Sequence, residues 1–304
     1  MKNLKYYVFI VSLTLWGGLY QSVAQVETET TDALKEGPQV IIITGTASGF
    51  GKATAKKLVA KGHIVYGGDL NVKGNAYLNK IGGYPLEMDV TNDEQVRAGI
   101  ERIISEQGRI DVLINNAGYG EFATIENISI EDLKHQFDVN VFGYARLQQA
   151  VLPHMRKQRS GRVIIVSSVI SKFSLPMLGW YSSTKHAVEG MADALRQEVA
   201  QFNIDVIKIQ PGAANTGFGA TAFARLEQSN VPEDYRALID ASVKSLENNF
   251  ASAPGAEDTA ETIVKVVELE NPKITYITAN AEGIVRLRKE MSEEDFYKMF
   301  SGQE

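Results

Sequence analysis

Residues 39–69 read QVIIITGTASGFGKATAKKLVAKGHIVYGGD, and this stretch decides the fold. An apolar run leads straight into a turn with glycines at 45, 49 and 51. A lysine-rich segment of helical composition follows, and a second apolar run closes on Asp69. The apolar runs lack polar alternation, as strands covered on both faces do. Strand, helix and strand in this order imply a parallel pair with a helical crossover. Glycine has no Cβ, so the turn can bend sharply and bring backbone N–H groups and a helix N-terminus against a pyrophosphate. The spacing G-x-x-x-G-x-G differs from the common G-x-G-x-x-G, so the signal lies in its place between strand and helix. Asp69 stands where a ribose-binding acid is expected. Such a carboxylate accepts from both ribose hydroxyls and repels a 2′-phosphate, and Leu70, not an arginine, follows it. The cofactor read from these residues is NAD in preference to NADP; the alternative is a glycine-rich loop with an N-capping aspartate.

Outward from this unit the pattern repeats. Further strand candidates are YPLEMDV (84–90), IDVLINNAG (110–118), GRVIIVSS (161–168), DVIKIQPG (205–212) and KITYITA (273–279). Amphipathic stretches lie between them, at 92–108 and 130–155 among others. The expectation is an α/β chain: a single Rossmann-type doubly wound parallel sheet of about seven strands, with helices on both faces, over residues 38–304. The section from Ala213 to Ala253 has weak strand signals and reads as helices or a mobile flap beside the site, not a second domain.

Composition excludes several functions. With 31 basic and 37 acidic residues the chain is mildly acidic, which argues against nucleic-acid binding. It has no cysteine, so thiolate nucleophiles and Cys-based zinc sites are absent. His63, His135, His154 and His186 lack metal-ligand spacing, and each reads as a surface or helix residue; no metal is expected. Glu131–Asp132 and Glu257–Asp258 sit at expected helix starts and read as dipole-favouring acids, not glycosidase carboxylates.

The N-terminus reads separately. A basic MKNLK, an uncharged apolar run and the small-x-small end at Ala24 have the layout of a secretory signal peptide over residues 1–24, followed by a polar linker over 25–37. An uncleaved membrane anchor is the second reading, with the domain facing away from the cytoplasm. The expected location is exported or membrane-associated: the periplasm or the endoplasmic reticulum lumen, or the cytoplasm if the segment is no signal.

Tyr181 and Lys185 are four apart, hence on one face of a helix, and Ser168 precedes Tyr181 by thirteen residues. A free tyrosine titrates near about 10 and is a sluggish base at neutral pH. A neighbouring ammonium and a positive nicotinamide ring would favour the phenolate, and two or three units of lowering would bring it near the working pH.

TGTASGFG, NNAG, VSS, YSSTK and PGAANT occur in an order and spacing that resemble the short-chain dehydrogenase/reductase family, from about Gln39 onward. NNAGYGEF and FDVNVFGYARLQQAVLPHM look most like members acting on hydroxysteroids and retinol. The resemblance implies Tyr181 as general acid/base, Lys185 as its partner, Ser168 on the substrate oxygen and Asn140 ordering a water that links Lys185 to solvent. It implies Gly45, Ser48, Gly49, Phe50 and Gly51 at the pyrophosphate, Asp69 on the adenosine ribose, and Asp89 and Val90 beside the adenine. Asn116, Ala117 and Gly118 would support the sheet next to the cofactor, and Thr216, after Pro211 and Gly212, would approach the nicotinamide amide. The expected enzyme interconverts a secondary alcohol and a ketone on a lipophilic small molecule and assembles as a homodimer or homotetramer. Two other classes remain: an NAD-dependent epimerase or dehydratase, and a non-catalytic binding protein on the same scaffold.

Overall fold

Each of the apolar runs becomes a strand. The computed structural model describes residues 37–227 and 231–301; the segment read as a signal or anchor, and the linker up to residue 36, lie outside the described residues. The elements are β1 (Val40–Thr44), α1 (Gly49–Ala60), β2 (Ile64–Asp69), α2 (Val72–Asn75), α3 (Tyr77–Ile81), β3 (Tyr84–Glu87), α4 (Asp93–Gln107) and β4 (Val112–Asn115). Then come α5 (Ile130–Phe137), α6 (Gly143–Gln158), β5 (Gly161–Val166), α7 (Gly179–Val199), β6 (Ile204–Gln210), α8 (Gly217–Glu227) and α9 (Arg236–Ser252). The described chain ends with α10 (Ala256–Glu268), β7 (Thr275–Ile277), α11 (Glu282–Glu290) and α12 (Glu293–Ser301).

The strands form one seven-stranded sheet, parallel throughout, in the order β3-β2-β1-β4-β5-β6-β7. The β1 residues show why alternation is missing. Ile42 packs with Tyr66, Leu113 and Val163 on one face of the sheet, whereas Ile41 and Ile43 pack with Leu58, Val65 and Val112 on the other. Successive side chains point to opposite faces, and here both faces are core. Burying each such side chain stabilises the fold by about 1.5–3 kcal/mol. Chain order reverses between β1 and β4, so a crevice opens beyond the carboxyl ends of these strands, the usual binding place of open α/β sheets.

The helix boundaries follow their caps. Asn92 accepts from the N–H groups of Glu94 and Gln95 at the start of α4, and Gly108 ends that helix at φ +70°. Glu131–Asp132 and Glu257–Asp258 lie in the first turns of α5 and α10, where they complement the helix dipole as expected. The amphipathic stretch from Ile130 is not one helix: a π-helical turn over Asp138–Phe142 separates α5 from α6 and carries Asn140. The section after Ala213 is helical, as α8 and α9. Nothing in its sequence pattern marked α11 and α12, which add an aromatic cluster with Phe296 fully buried at its centre.

His63 corrects its expected placement. It lies between α1 and β2, buried, and its Nδ1 accepts from the Gln39 N–H at 3.1 Å. It closes the start of β1 against the turn that enters β2. Among the described residues, no helix is long and apolar enough to cross a membrane, and no cluster of His, Asp or Glu could hold a metal ion.

Candidate active site

A cavity of about 900 Å³ opens at the switch point and continues under α8 and α9. Its first half is built from backbone. Gly45 and Gly49 have φ of +75° and +51°, a left-handed conformation that glycine adopts without strain. Ser48 caps α1 without a side-chain hydrogen bond, and the first turn holds no acid. The leading N–H groups of α1 thus lack a protein carboxylate where Gly45, Ser48, Gly49 and Phe50 line the cavity. Gly51 lies behind this surface and does not line it. A Cβ there would sit 2.1 Å from the Gly45 carbonyl oxygen, so its part is close packing of α1 under the turn.

Asn116 braces the same turn from β4, donating through Nδ2 to the Thr44 carbonyl at 2.8 Å. The N–H groups of Asn116 and Ala117 donate to Thr44 Oγ1 at 3.1 and 3.0 Å. Asp69 ends β2 at the cavity wall; its two oxygens accept from the N–H groups of Ala47 and Asn71, each at 2.8 Å. An ionised carboxylate offers about four lone-pair sites, which leaves acceptor capacity for a diol. Leu70, an exposed apolar side chain and not a cation, follows it at the cavity wall. Asp89 Oδ1 accepts from the Thr91 backbone and hydroxyl, and Val90 lines the cavity next to it. This glycine turn, free helix start and terminal acid fit an adenine dinucleotide.

The second half is built from side chains. Tyr181 and Lys185 lie one turn apart on α7. Lys185 Nζ is 5.7 Å from the Tyr181 ring centroid and donates to the Val166 carbonyl at 3.0 Å. Ser168 follows β5 in extended conformation; its hydroxyl donates to the Pro211 carbonyl at 3.3 Å and hydrogen-bonds toward Tyr181. Gly212 donates to Thr278 Oγ1, and Thr216 Oγ1 accepts from the Phe218 N–H. Asn140 lies behind the cavity, fully buried. Its Oδ1 accepts from the Tyr119 N–H at 3.0 Å, and its Nδ2 donates to the Tyr119 carbonyl at 2.8 Å and to Thr184 Oγ1 at 3.2 Å. All the other candidate residues except Gly51 line the cavity.

Electrostatics correct one expectation. Burial pushes the Tyr181 phenol up from its ordinary value, and the hydrogen bond with Ser168 pulls only part of the way back. Burial also lowers Lys185, to about 8, against the charge of Glu189. Desolvation penalises the charged form of both groups and here outweighs the lysine's attraction for a phenolate. The protein by itself therefore keeps Tyr181 a protonated donor.

The walls beyond Tyr181 went unread in the sequence. Phe218 of α8 stands 5.3 Å from the Tyr181 ring, and Phe122 packs edge-on to Phe223 at 5.5 Å. Phe173, Leu246, Phe250, Ile284 and Phe300 complete an apolar chamber that reaches α12. At its rim Arg225 pairs with Glu121 at 3.0 Å and lies 4.6 Å over the Tyr119 ring.

A dinucleotide crevice that opens onto a serine, a tyrosine and a lysine defines a nicotinamide-dependent oxidoreductase scaffold. Residues 39–227 match the family model for short chain dehydrogenases, and the chain belongs to that family. It is 42% identical over 236 residues to the 3-ketodihydrosphingosine reductase of Bacteroides thetaiotaomicron, covering 77% of this chain and 86% of that protein. It is 30% identical over 260 residues to retinol dehydrogenase 8 of Bos taurus, covering 79% and 81%. A short chain dehydrogenase/reductase from Burkholderia phymatum, solved in complex with NAD, superposes with a TM-score of 0.74 at 25% identity over 88% of this chain and 97% of its own. The chain is thus an oxidoreductase acting on CH–OH and ketone groups with NAD(P).

Proposed function

We propose that this enzyme interconverts a ketone and a secondary alcohol on a lipophilic, long-chain or polycyclic molecule, with NAD(H) preferred over NADP(H). The observation that carries the reading is a half-buried Tyr181, held protonated, at the meeting point of the dinucleotide crevice and the aromatic chamber. The relatives' names, a 3-ketodihydrosphingosine reductase and a retinol dehydrogenase, support a lipophilic substrate.

When bound, the nicotinamide supplies or accepts the hydride. Gly45, Ser48, Gly49 and Phe50 would hold the pyrophosphate, with Gly51 packing the turn beneath it, and Asp69 would take the adenosine ribose. Asp89 and Val90 would border the adenine, Asn116, Ala117 and Gly118 line the cleft beside it, and Pro211, Gly212 and Thr216 would border the nicotinamide. In reduction Tyr181 gives its proton to the carbonyl oxygen as that oxygen becomes an alkoxide, and the Ser168 hydroxyl hydrogen-bonds the same oxygen. Lys185, when cationic, stabilises the phenolate that remains, and Asn140 orders the proton path behind it. A phenol raised by burial is protonated at neutral pH and ready to donate in the reductive half of the reaction.

Nicotinamide absorbance, followed with long-chain ketones, ketosteroids and retinoids and with both cofactors, tests the reading. Tyr181→Phe should lower kcat by about 10²- to 10⁴-fold while NADH binding persists. Higher kcat/KM with NADPH would overturn the Asp69 argument. Failure to turn over any lipophilic carbonyl or alcohol, in protein that binds NADH, would overturn the substrate class.

From the basic–apolar–small pattern of residues 1–24 we further infer an exported or membrane-associated enzyme, and from its family a homodimer or homotetramer. A reporter fused after Gly37 and active only in the cytoplasm would refute that orientation.

A further inference from the structure

Helix α7 carries Tyr181, Lys185, Glu189 and Asp193 at four-residue intervals, one above another along one side. Tyr181 and Lys185 line the cavity. Glu189 does not line it, yet it is only 7% exposed. A buried carboxylate keeps its charge only where partners hold it.

Glu189 has partners on both oxygens. Gln210 Nε2 donates to Oε1 at 2.7 Å, and the ammonium groups of Lys172 and Lys208 each stand 3.2 Å from Oε2. Lys208 is shared with Asp193 at 2.5 Å. Burial pushes the Glu189 carboxyl up, but the Gln210 hydrogen bond and the two lysines outweigh it and hold the group below its ordinary value. Glu189 is therefore ionised. Its partners also sit at the catalytic turns. Gln210 directly precedes Pro211, whose carbonyl receives the Ser168 hydroxyl and the Val169 N–H, and Lys172 ends the short helical turn that Ser168 begins.

The surroundings of Lys185 are different. Its ammonium meets the Val166 carbonyl and the rings of Tyr144, at 5.6 Å, and Tyr181. These groups are neutral while Tyr181 is protonated, so burial discharges the lysine unless a carboxylate opposes it. Glu189 is that carboxylate, one turn away.

We propose that Glu189 is a positioning residue for Lys185: its carboxylate holds the lysine cationic and ties α7 to the two turns that carry Ser168 and Pro211. The role rests on the Tyr181–Lys185 reading above. An ammonium requirement means that ketone reduction is lost as pH rises through the Lys185 pKa. Removing the negative charge of Glu189 moves that alkaline limb down. Removing a cation from Glu189 moves it up.

The test is a Lys185 titration followed by NMR of protein with lysine ¹³C-labelled at Cε, the resonance assigned with Lys185→Arg, beside the pH profile of kcat for ketone reduction. Glu189→Gln should move both the resonance midpoint and the alkaline limb to lower pH by about one unit. Lys172→Met should move both upward, by less. Lower activity in both variants with unmoved midpoints would overturn the proposal and leave Glu189 as packing. Should Glu189→Gln fail to fold, Lys172→Met decides, and no upward movement overturns it. Midpoints that move as expected, in a wild type that turns over no ketone, would support the Glu189–Lys185 coupling and overturn the catalytic reading beneath it.

Discussion

The two halves of the cavity recognise their ligands in opposite ways. The dinucleotide half presents backbone: glycines in left-handed conformation, the uncapped start of α1, and an Asn116 side chain that braces the loop it faces. The chamber half presents side chains, mostly aromatic, brought from far apart along the chain. Backbone recognition permits no spare atom, because a displaced carbonyl or N–H cannot rotate away. A packed aromatic wall can redistribute small changes among its rings. The first half should therefore be brittle and the second forgiving.

Gly51→Ala is the hardest blow to this contrast. The new methyl would meet the Gly45 carbonyl oxygen at 2.1 Å and its carbon at 2.8 Å, both backbone. Overpacking of this kind costs about 1–3 kcal/mol. If α1 must shift to absorb it, the Kd for NADH rises by roughly 5- to 150-fold, since about 1.4 kcal/mol is a factor of ten. Titration calorimetry reads this directly. An unchanged Kd would mean that the turn is softer than its geometry implies and would break the comparison.

Phe218→Ala comes next. Its ring lies against Tyr181 and borders the chamber, so the loss falls on substrate and not on cofactor. An aromatic contact of about 0.5–1.5 kcal/mol corresponds to roughly a 2- to 10-fold rise in KM for a lipophilic ketone. The Kd for NADH should stay where it is. A matching loss of cofactor affinity would show that the halves are mechanically one.

This division also sets what could be read from the sequence. Gly45, Gly49 and Asp69 stand within one β-α-β unit, where local geometry dictates residue type, and NNAG and YSSTK are equally contiguous. Lys185 could be placed beside Tyr181 from helical spacing alone. The depth of their burial could not, and burial sets the direction of the Tyr181 pKa. Phe122, Phe173, Phe218, Phe250 and Phe300 lie in separate segments with no shared period, so the chamber they form has no local signature. The π-helical turn around Asn140 was equally hidden, since one extra residue in a turn leaves the amphipathic pattern nearly intact; the signal available was a polar Asn between two valines. Glu189 stood in plain view, four residues after Lys185, but its partners Lys172 and Lys208 arrive only through tertiary structure.

Phe223→Leu sharpens the comparison at its small end. Phe223 does not border the cavity; it stands 6.2 Å from Phe250, which does, and 5.5 Å from Phe122, which like Phe223 lies behind the lining. Leucine keeps most of the apolar volume while removing the edge-to-face contacts, a change that cores usually absorb for less than about 1.5 kcal/mol. With Phe122 still 6.4 Å from Phe250 and 6.2 Å from Phe218, the wall retains its shape. The expected result is a modest fall in Tm with KM for a lipophilic ketone changed by less than about threefold, well under the effect of Phe218→Ala. A KM effect equal to that of Phe218→Ala would mean that the supporting layer positions the lining rings as rigidly as Gly51 positions its turn. The chamber would then read substrate shape with the same intolerance that the glycine turn shows toward the dinucleotide.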